Sequence, residues 1–296
     1  MEFIKMHGAG NDFIIIDARN QTQDWSHLAQ VMSNRHTGIG SDGLLLVHDS
    51  NQADIRMQMF NPDGSEGAMC GNGIRCFAKY VVENKIVTKT EELLIESSVD
   101  IHQVQLLKSN GIINRVRVNM GTPKLRPEQI PVDVNFRIVP VGDNPSGGMV
   151  RPFEKNELVY KWPLVVNGNS LKITGVSMGN PHAVAFLNTP ISEYPLHEVG
   201  PKVELHPLFP DRINFEIVNI VDKANLNVRV WERGAGLTMA CGSGACAVAV
   251  AAYIHGYIDE NVNITLPGGT LSITWDGKGD VIMEGPTETV FKGIWV

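Results

Sequence analysis

Two cysteines, Cys70 and Cys241, lie in similar glycine-rich turns far apart in the chain. Cys70 is followed by Gly-Asn-Gly and Cys241 by Gly-Ser-Gly, and each turn leads directly into a segment of helical character. A thiol at the start of a helix lies where unsatisfied backbone N–H groups and the positive end of the helix dipole favour a thiolate and attract anions. The two turns therefore predict a pair of acid/base thiols, each beside a site for a carboxylate.

Two such thiols suit one class of reaction. If they act on opposite faces of one carbon, one removes a proton and the other returns one, which is racemisation or epimerisation. The N–H groups at the helix starts would stabilise the charge that develops on the substrate carboxylate. The other two cysteines, Cys76 and Cys246, lie inside the helical segments and are interpreted as packing residues.

The repeated turn indicates an internally duplicated chain. A second, weaker repeat supports this: Gly10-Asn11 and Gly179-Asn180 each precede a short apolar strand. Most other segments have the alternating or apolar pattern of short strands, and the second half begins near Gly121. We therefore predict an α+β protein made of two similar domains related by a pseudo-twofold axis. In the helix after Cys70, Ile74 and Phe77 are spaced to face inward, and Arg75 and Lys79 are expected to face outward.

Composition excludes several other classes of protein. The chain has 296 residues, 43% of them hydrophobic, and a net charge of −7. Basic residues are scattered, so no nucleic-acid partner is expected. The longest apolar run is too short to cross a bilayer and the N-terminus has no signal-peptide pattern, which predicts a soluble, cytoplasmic protein without a membrane partner. The spacing of the four cysteines fits neither a disulfide framework nor a zinc site, so no metal is expected.

Six segments, taken in order, closely resemble the diaminopimelate epimerase family. They read MHGAGNDF, NRHTGIGSDG, FNPDGSEGAMCGNGIRC, MGNPHAV, WERGAGLTMACGSGACA and GPTETVFKG. The resemblance implies an isomerase that interconverts LL- and meso-2,6-diaminopimelate with two cysteine bases and no cofactor, on the route to lysine and peptidoglycan. It also implies that a mixed or antiparallel sheet wraps around a central helix in each domain, with the site in the cleft between the domains.

The resemblance extends to domain limits and assembly. It implies that the domain with Cys70 consists of residues 1–120 with the C-terminal strand 286–296, and that residues 121–285 form the domain with Cys241. The family is often dimeric, and Phe291 stands where the family has an aromatic residue at the dimer interface. A homodimer is therefore expected, with a small-molecule substrate as the other partner.

The resemblance also assigns the candidate site residues. It implies that Cys70 and Cys241 are the acid/base pair, that His182 and Glu232 tune these thiols, and that a further set binds substrate. That set comprises the helix-start residues Gly71, Asn72, Gly242 and Ser243, which would bind the carboxylate at the reacting carbon, the residues Asn11, Asn61, Asn180, Asn214 and Arg233, which would hold the distal amino-acid end, and Glu232.

Some positions depart from the family pattern, among them one residue near the second cysteine and one long segment. Leu237 replaces a glutamate that is usual close to the second cysteine, and the Pro- and Gly-rich segment Gly142 to Trp162 looks longer than usual. The first departure leaves the substrate open. One alternative is another cofactor-independent racemase of the same fold, acting on proline, hydroxyproline or histidine. A different class is a thiol redox protein in which Cys70 and Cys241 form a reversible disulfide.

Overall fold

The computed structural model of the protein describes residues 1–67, 70–133 and 158–296. These residues form two compact units. The first unit comprises Met1–Met120, Gly268–Ser272 and Ile282–Val296, and the second comprises Gly121–Pro267 and Ile273–Val281. Residues 142–157, which make up most of the Pro- and Gly-rich segment Gly142 to Trp162, lie outside the described residues.

The elements alternate between short strands and a few helices along the chain. Up to Met120 they are β1 Glu2–Gly8, β2 Asn11–Asp17, α1 Trp25–Ser33, β3 Gly43–His48, β4 Ile55–Phe60, β5 Glu66–Gly67, α2 Gly71–Glu83, β6 Glu92–Glu96, β7 Ile101–Ser109 and β8 Ile112–Asn119. After a 3-10 turn at Pro127–Gln129 come β9 Trp162–Val166, β10 Asn169–Ser177, β11 Pro181–Phe186, α3 Leu196–Glu204, β12 Asn214–Asp222, β13 Asn225–Glu232, β14 Gly236–Leu237, α4 Gly242–Ile254 and β15 Asn261–Leu266. The chain closes with β16 Gly269–Thr274, β17 Ile282–Pro286 and β18 Glu288–Ile294.

Strand pairing repeats between the two units. In the first unit β1 and β2 are antiparallel, β2 and β3 parallel, β3 and β4 antiparallel, and β4 and β6 parallel. In the second unit the pairs β10–β11, β11–β12, β12–β13 and β13–β15 follow the same order of directions. Helices α1 and α3 occupy matching places in this order, as do α2 and α4. The predicted α+β class with mixed sheets is confirmed, and the duplication inferred from the cysteine turns extends to the whole topology.

Each unit packs its sheet around one central helix. Helix α4 consists almost wholly of Gly, Ala, Val and Cys and contacts β10, β11, β12 and β15. A helix that is apolar on every side is stable only when it is covered on every side. Helix α2 contacts β1, β2, β7, β8 and β17, so it too is enclosed. This enclosure fixes the position of each helix start, where the two cysteines lie.

The expectation that Arg75 and Lys79 face solvent is wrong. Both are buried, because the sheet of the first unit also covers the polar side of α2. Arg75 donates hydrogen bonds to the carbonyl oxygens of Gly71 and Pro286, and Lys79 Nζ lies 2.8 Å from the carbonyl oxygen of Ile113. Hydrogen bonds to main-chain carbonyls offset the cost of burying these cations.

The C-terminal part of the first unit is larger than the predicted strand 286–296. Residues 268–272 and 282–285, which the prediction assigned to the other domain, also belong to this unit, and the second of these segments does so because β17 pairs antiparallel with β8 along its length. The last strand, β18, then pairs with β1, so both chain ends belong to one unit. No helix in the described part of the chain is long and apolar enough to cross a membrane.

Candidate active site

Cys70 is the residue at which helix α2 begins. Its backbone is extended (φ −134°, ψ 115°), and its Sγ accepts a hydrogen bond from Gly73 N at 3.4 Å. A side chain in this position takes the place of the oxygen that usually caps a helix. The thiol is partly exposed, and its Sγ lies 3.5 Å from Asn11 Oδ1, to which it can donate.

The Asn11 amide links Cys70 to its surroundings. Its Oδ1 accepts a second hydrogen bond, from Asn72 Nδ2 at 3.2 Å, and its Nδ2 donates to Asp42 Oδ2 at 2.6 Å. Two predicted substrate-binding residues, Asn11 and Asn72, thus meet at the thiol. Gly71, in the first turn of α2, lies beside them and is buried.

Behind Asn11 lies a network of four charged side chains. Lys5 Nζ is 2.6 Å from Asp12 Oδ2, and Arg35 Nη2 is 2.7 Å from carboxylate oxygens of both Asp12 and Asp42. Burial by itself would raise the pKa of Asp12, but the hydrogen bonds from Arg35 and Lys5 outweigh it and the pKa falls to about 2. The network holds Asp42 as an acceptor for the Asn11 amide.

Asn61, the remaining predicted residue of this unit, follows β4. Its Nδ2 donates to Ser65 Oγ at 3.0 Å, and its backbone N–H donates to the carbonyl oxygen of Ser65. The side chain is therefore engaged in its own turn, apart from the hydrogen bonds that join Asn11, Asn72 and Cys70.

Cys241 begins helix α4 in the same way. Its backbone is extended (φ −117°, ψ 114°), its Sγ accepts from Gly244 N at 3.3 Å, and Ser243 Oγ is 3.5 Å away. The predicted pair Gly242 and Ser243 therefore forms the first turn beside the thiol. Unlike Cys70, Cys241 is buried.

Two carboxylates surround the Cys241 thiol. Glu232 accepts a short hydrogen bond from Thr238, and its negative charge acts on the Cys241 thiol, as does that of Glu216. Burial, followed by the negative charges of Glu232 and Glu216, raises the pKa of the Cys241 thiol well above its usual range. Burial also raises the pKa of Glu232. The surroundings of Cys241 therefore favour the thiol over the thiolate.

His182 lies against Glu216, a residue that the sequence analysis did not single out. His182 Nδ1 is 2.7 Å from Glu216 Oε1, and its Nε2 is 3.0 Å from Asn180 Oδ1. Both members of the His182–Glu216 pair are fully buried. One signal in the sequence could have identified Glu216: it is the only charged residue in the otherwise apolar run Phe215 to Val218, a place where an acid needs a partner.

Asn214 and Arg233 are adjacent in the second unit. Asn214 Nδ2 donates to the carbonyl oxygen of Pro181 at 2.8 Å, and its Oδ1 accepts from Arg233 N at 2.8 Å. The Asn214 amide thus connects β11 to the turn after β13, and its role in this structure is to hold that turn. The Arg233 guanidinium is exposed and donates to the carbonyl oxygen of Asp211.

Each unit therefore presents a thiol, a helix start and amide groups close together. This set can move a proton at carbon and bind a carboxylate. Among residues 1–67, 70–133 and 158–296, no group of three or more His, Cys, Asp and Glu side chains is placed to hold a metal ion.

Comparison with known proteins gives one consistent family. The family model for diaminopimelate epimerase matches residues 3–126 and 174–290. Diaminopimelate epimerase of Acetivibrio thermocellus is 43% identical over 295 residues, which cover 99% of this chain and 98% of that protein. The same enzyme of Moorella thermoacetica is 45% identical over 296 residues, again covering 99% and 98%.

More distant proteins share the fold. A hydroxyproline epimerase from Agrobacterium vitis, solved with bound trans-4-hydroxy-L-proline, aligns with a TM-score of 0.70 at 12% identity and covers 99% of this chain and 91% of its own. A phenazine biosynthesis protein of the PhzF family from Bacillus anthracis aligns with a TM-score of 0.65 at 15% identity, covering 100% and 99%.

Proposed function

The chain belongs to the diaminopimelate epimerase family, and we propose that it interconverts LL- and meso-2,6-diaminopimelate by a two-base reaction of Cys70 and Cys241. Epimerisation inverts one carbon without changing composition, so it needs a group that removes a proton and a group that supplies one. One cysteine acts as thiolate and the other as thiol, and their roles exchange in the reverse direction.

One observation carries this proposal: the cysteines occupy equivalent helix starts in the two duplicated units. In each, Sγ accepts from the N–H three residues ahead, at 3.4 Å for Cys70 and 3.3 Å for Cys241. The dipole of each helix favours a thiolate there, and the first-turn N–H groups favour a carboxylate next to it. Charge that develops on the substrate carboxylate is stabilised by donors already in place.

The remaining assignments follow from the chemistry of diaminopimelate. Gly71, Asn72, Gly242 and Ser243 bind the carboxylate at the reacting carbon. His182 and Glu232 adjust the charge around the thiols. The distal end is an amino acid with charges of both signs, and it needs amide groups and a guanidinium to replace its water. Asn11, Asn61, Asn180, Asn214 and Arg233 provide these groups, and Glu232 adds a carboxylate to the substrate-binding set.

The reaction as proposed needs neither a metal nor pyridoxal phosphate. A chiral chromatography assay tests both substrate and independence from cofactors. The reduced protein, treated with hydroxylamine to remove any pyridoxal phosphate and with EDTA, is incubated with LL-diaminopimelate, and separately with proline, trans-4-hydroxyproline and histidine.

The proposal predicts that meso-diaminopimelate appears and that the other three amino acids keep their configuration. Inversion of proline, hydroxyproline or histidine with no change in diaminopimelate would assign the same chemistry to another substrate. If no amino acid is inverted by the reduced protein, a thiol redox function becomes the better explanation.

We also propose that the protein is a homodimer in the cytoplasm. Strand β18 exposes three large apolar side chains, Val290, Phe291 and Ile294, and exposed apolar side chains concentrated on one strand are typical of a surface that a second copy covers. Reactive thiols are kept reduced in the cytoplasm. Sedimentation equilibrium of the protein and of Phe291→Asp tests the dimer, which the substitution should weaken.

A further inference from the structure

Glu216 is a fully buried acid that the reaction proposed above does not use. It lies in β12 and His182 in β11, two strands that pair in parallel, and both side chains have no exposed surface. The cost of burying a carboxylate is large unless a partner of opposite charge or a hydrogen-bond donor meets it. The donor here is His182 Nδ1, 2.7 Å from Glu216 Oε1.

The other carboxylate oxygen of Glu216, Oε2, is buried and has no hydrogen-bond partner among the described residues. A side chain that served only packing could be replaced by an apolar one of similar volume at little cost in stability. The presence of a carboxylate at position 216 therefore indicates that Glu216 acts on a neighbouring group.

The first turn of helix α4 lies next to it. The position that a β-carbon would occupy on Gly244 is 2.7 Å from Glu216 Oε1 and 3.2 Å from Cys241 Sγ. The carboxylate thus lies against the helix start that carries the thiol, with only the bare Cα of a glycine between them. The positive end of the helix dipole favours an anion in this place.

On the side of its ring away from Glu216, His182 contacts Asn180. Its Nε2 is 3.0 Å from Asn180 Oδ1, and an amide oxygen can only accept, so this ring nitrogen donates. A carboxylate likewise accepts, so Nδ1 donates to Glu216. With Oδ1 turned towards the ring, the NH2 group of Asn180 is directed away from His182 and can donate to a ligand.

We propose that Glu216 is a positioning residue of the reaction: it fixes the His182 ring and through it the Asn180 amide, and it holds a negative charge against the helix start of Cys241. A carboxylate that fixes the ring hydrogen of a histidine is a recurrent device in enzyme sites. The effect on turnover rests on the proposed function, whereas the geometry of the pair does not.

The test compares Glu216→Gln with the wild-type protein. Glutamine keeps the size and one acceptor but loses the charge, and we expect kcat/KM for LL-diaminopimelate to fall about 10- to 100-fold in protein that still unfolds in one cooperative thermal transition, at a lower midpoint because the buried His182 loses its charged partner. Glu284→Gln is the matched control, since Glu284 also pairs with basic side chains, Arg115 and Arg117, neither of which belongs to the proposed site. It should keep wild-type kcat/KM.

A spectroscopic measurement is independent of turnover. In protein labelled with 15N-histidine, we expect both ring nitrogens of the wild-type His182 to carry hydrogen, with the Nδ1 proton shifted downfield by its bond to the carboxylate. Glu216→Gln should move that proton upfield, and Glu216→Asp, which retains the charge, should restore part of the shift and part of kcat/KM. His182→Gln identifies the resonance.

The experiments distinguish failure of this inference from failure of the proposed function. If the wild-type protein epimerises diaminopimelate and Glu216→Gln matches it within about threefold, the inference is overturned while the proposed function stands. A wild-type spectrum with a bare His182 Nδ1 also overturns the inference, even if neither Glu216 variant folds. If the wild-type protein leaves diaminopimelate unchanged, the proposed function fails, and the spectrum still decides the geometry of the pair.

Discussion

Cys70 and Cys241 occupy the same position in their helices but differ in burial, since Cys70 is partly exposed and Cys241 is buried. Each begins a helix of 13 residues with an extended backbone and with its Sγ on the N–H three residues ahead. The Cys70 thiol is partly exposed and lies 3.5 Å from Asn11 Oδ1, whereas Cys241 is buried and the carboxylates of Glu232 and Glu216 act on its thiol. Burial and these two negative charges raise the pKa of Cys241 and favour its thiol form.

The first prediction concerns the protonation of Cys241. Because burial and the two carboxylates raise its pKa, alkylation by iodoacetamide should be slow at pH 8 and accelerate above pH 9. Glu232→Gln removes one negative charge, lowers the thiol pKa and should raise the rate at pH 8 about three- to tenfold, since one pKa unit is tenfold in thiolate. Peptide mapping by mass spectrometry measures the rate.

Cys246, in the interior of the same helix, is the internal control for this experiment. It should stay unmodified in both proteins, because access to it requires unfolding. An unchanged or slower reaction of Cys241 in Glu232→Gln would show that the carboxylate does not hold the thiol protonated.

The second prediction compares equivalent glycines in the two helices. A β-carbon on Gly244 would lie 2.7 Å from Glu216 Oε1, so Gly244→Ala must displace the carboxylate or the thiol, and kcat/KM should fall at least about tenfold. On Gly73 the nearest atoms, of Cys70 and Leu45, are 3.4 Å away. Gly73→Ala should cost far less activity and add up to about 1 kcal/mol to the free energy of unfolding. Equal losses in steady-state assays would contradict this difference.

The third prediction concerns Glu204, the last residue of α3. Its carboxylate accepts from Trp231 Nε1 at 2.7 Å and from Gly234 N at 3.0 Å, on either side of Glu232 and Arg233. In Glu204→Gln the side-chain NH2 group faces one of these two N–H donors, so one of the two hydrogen bonds is lost. The free energy of unfolding in urea should fall by about 1–3 kcal/mol, and KM for diaminopimelate should rise.

Glu198→Gln is the control for the Glu204 substitution, because Glu198 is an exposed acid on the same helix. Its unfolding curve and KM should match those of the wild-type protein. If Glu204→Gln behaves like this control, the turn that carries Arg233 does not depend on Glu204.

The fourth prediction is a dependence of stability on pH. The pKa of Asp12 is about 2 in the folded protein against an ordinary value of 3.8, so its contribution is complete above about pH 4 and is lost as the pH falls towards 2. Asp12→Asn should lower the free energy of unfolding by about 1–2 kcal/mol at pH 7, and this difference should shrink between pH 4 and pH 2. Urea titrations at pH 7, 4, 3 and 2 follow it.

An exposed acid provides the comparison for Asp12. Asp259 forms only a surface pair with Lys223, and Asp259→Asn should change stability little at any of these pH values. A loss for Asp12→Asn that is as large at pH 2 as at pH 7 would mean that shape, and not charge, accounts for it.

Local signals in the sequence predicted the parts of the site that depend on local structure. Cys70 and Cys241 are identifiable because the same Cys-Gly-polar-Gly turn occurs twice, each time before a helical segment, and the structure begins α2 and α4 one residue after each. The strand predicted before Cys70 is also confirmed, since residues Ile55 to Phe60 alternate between apolar and polar in the sequence and form β4. These features need only a few neighbouring residues.

Features that depend on distant parts of the chain were not predicted. Arg75 has the spacing of an exposed residue, but a sheet that closes around α2 covers this side as well, and helical periodicity carries no information about such closure. The partner of His182 is Glu216, 34 residues away, and only the parallel pairing of β11 with β12 brings them together. Residues 282–285 join the first unit for a similar reason, through β8.

The most direct test of two-base chemistry follows hydrogen at the inverted carbon. Reduced protein is mixed with LL-diaminopimelate in deuterium oxide, and the earliest meso-diaminopimelate is examined by NMR and mass spectrometry. Cys70→Ala and Cys241→Ala are assayed beside it, with Cys76→Ala and Cys246→Ala as controls from the same helices. The proposed mechanism predicts that the new meso isomer carries deuterium at the inverted carbon from the first turnover, while unreacted LL isomer retains its proton. Cys70→Ala and Cys241→Ala should each keep less than about one per cent of the activity. Both controls, Cys76→Ala and Cys246→Ala, should remain active. Early meso product that retains the substrate hydrogen, or substantial epimerisation by either Cys70→Ala or Cys241→Ala, would contradict the two-base assignment.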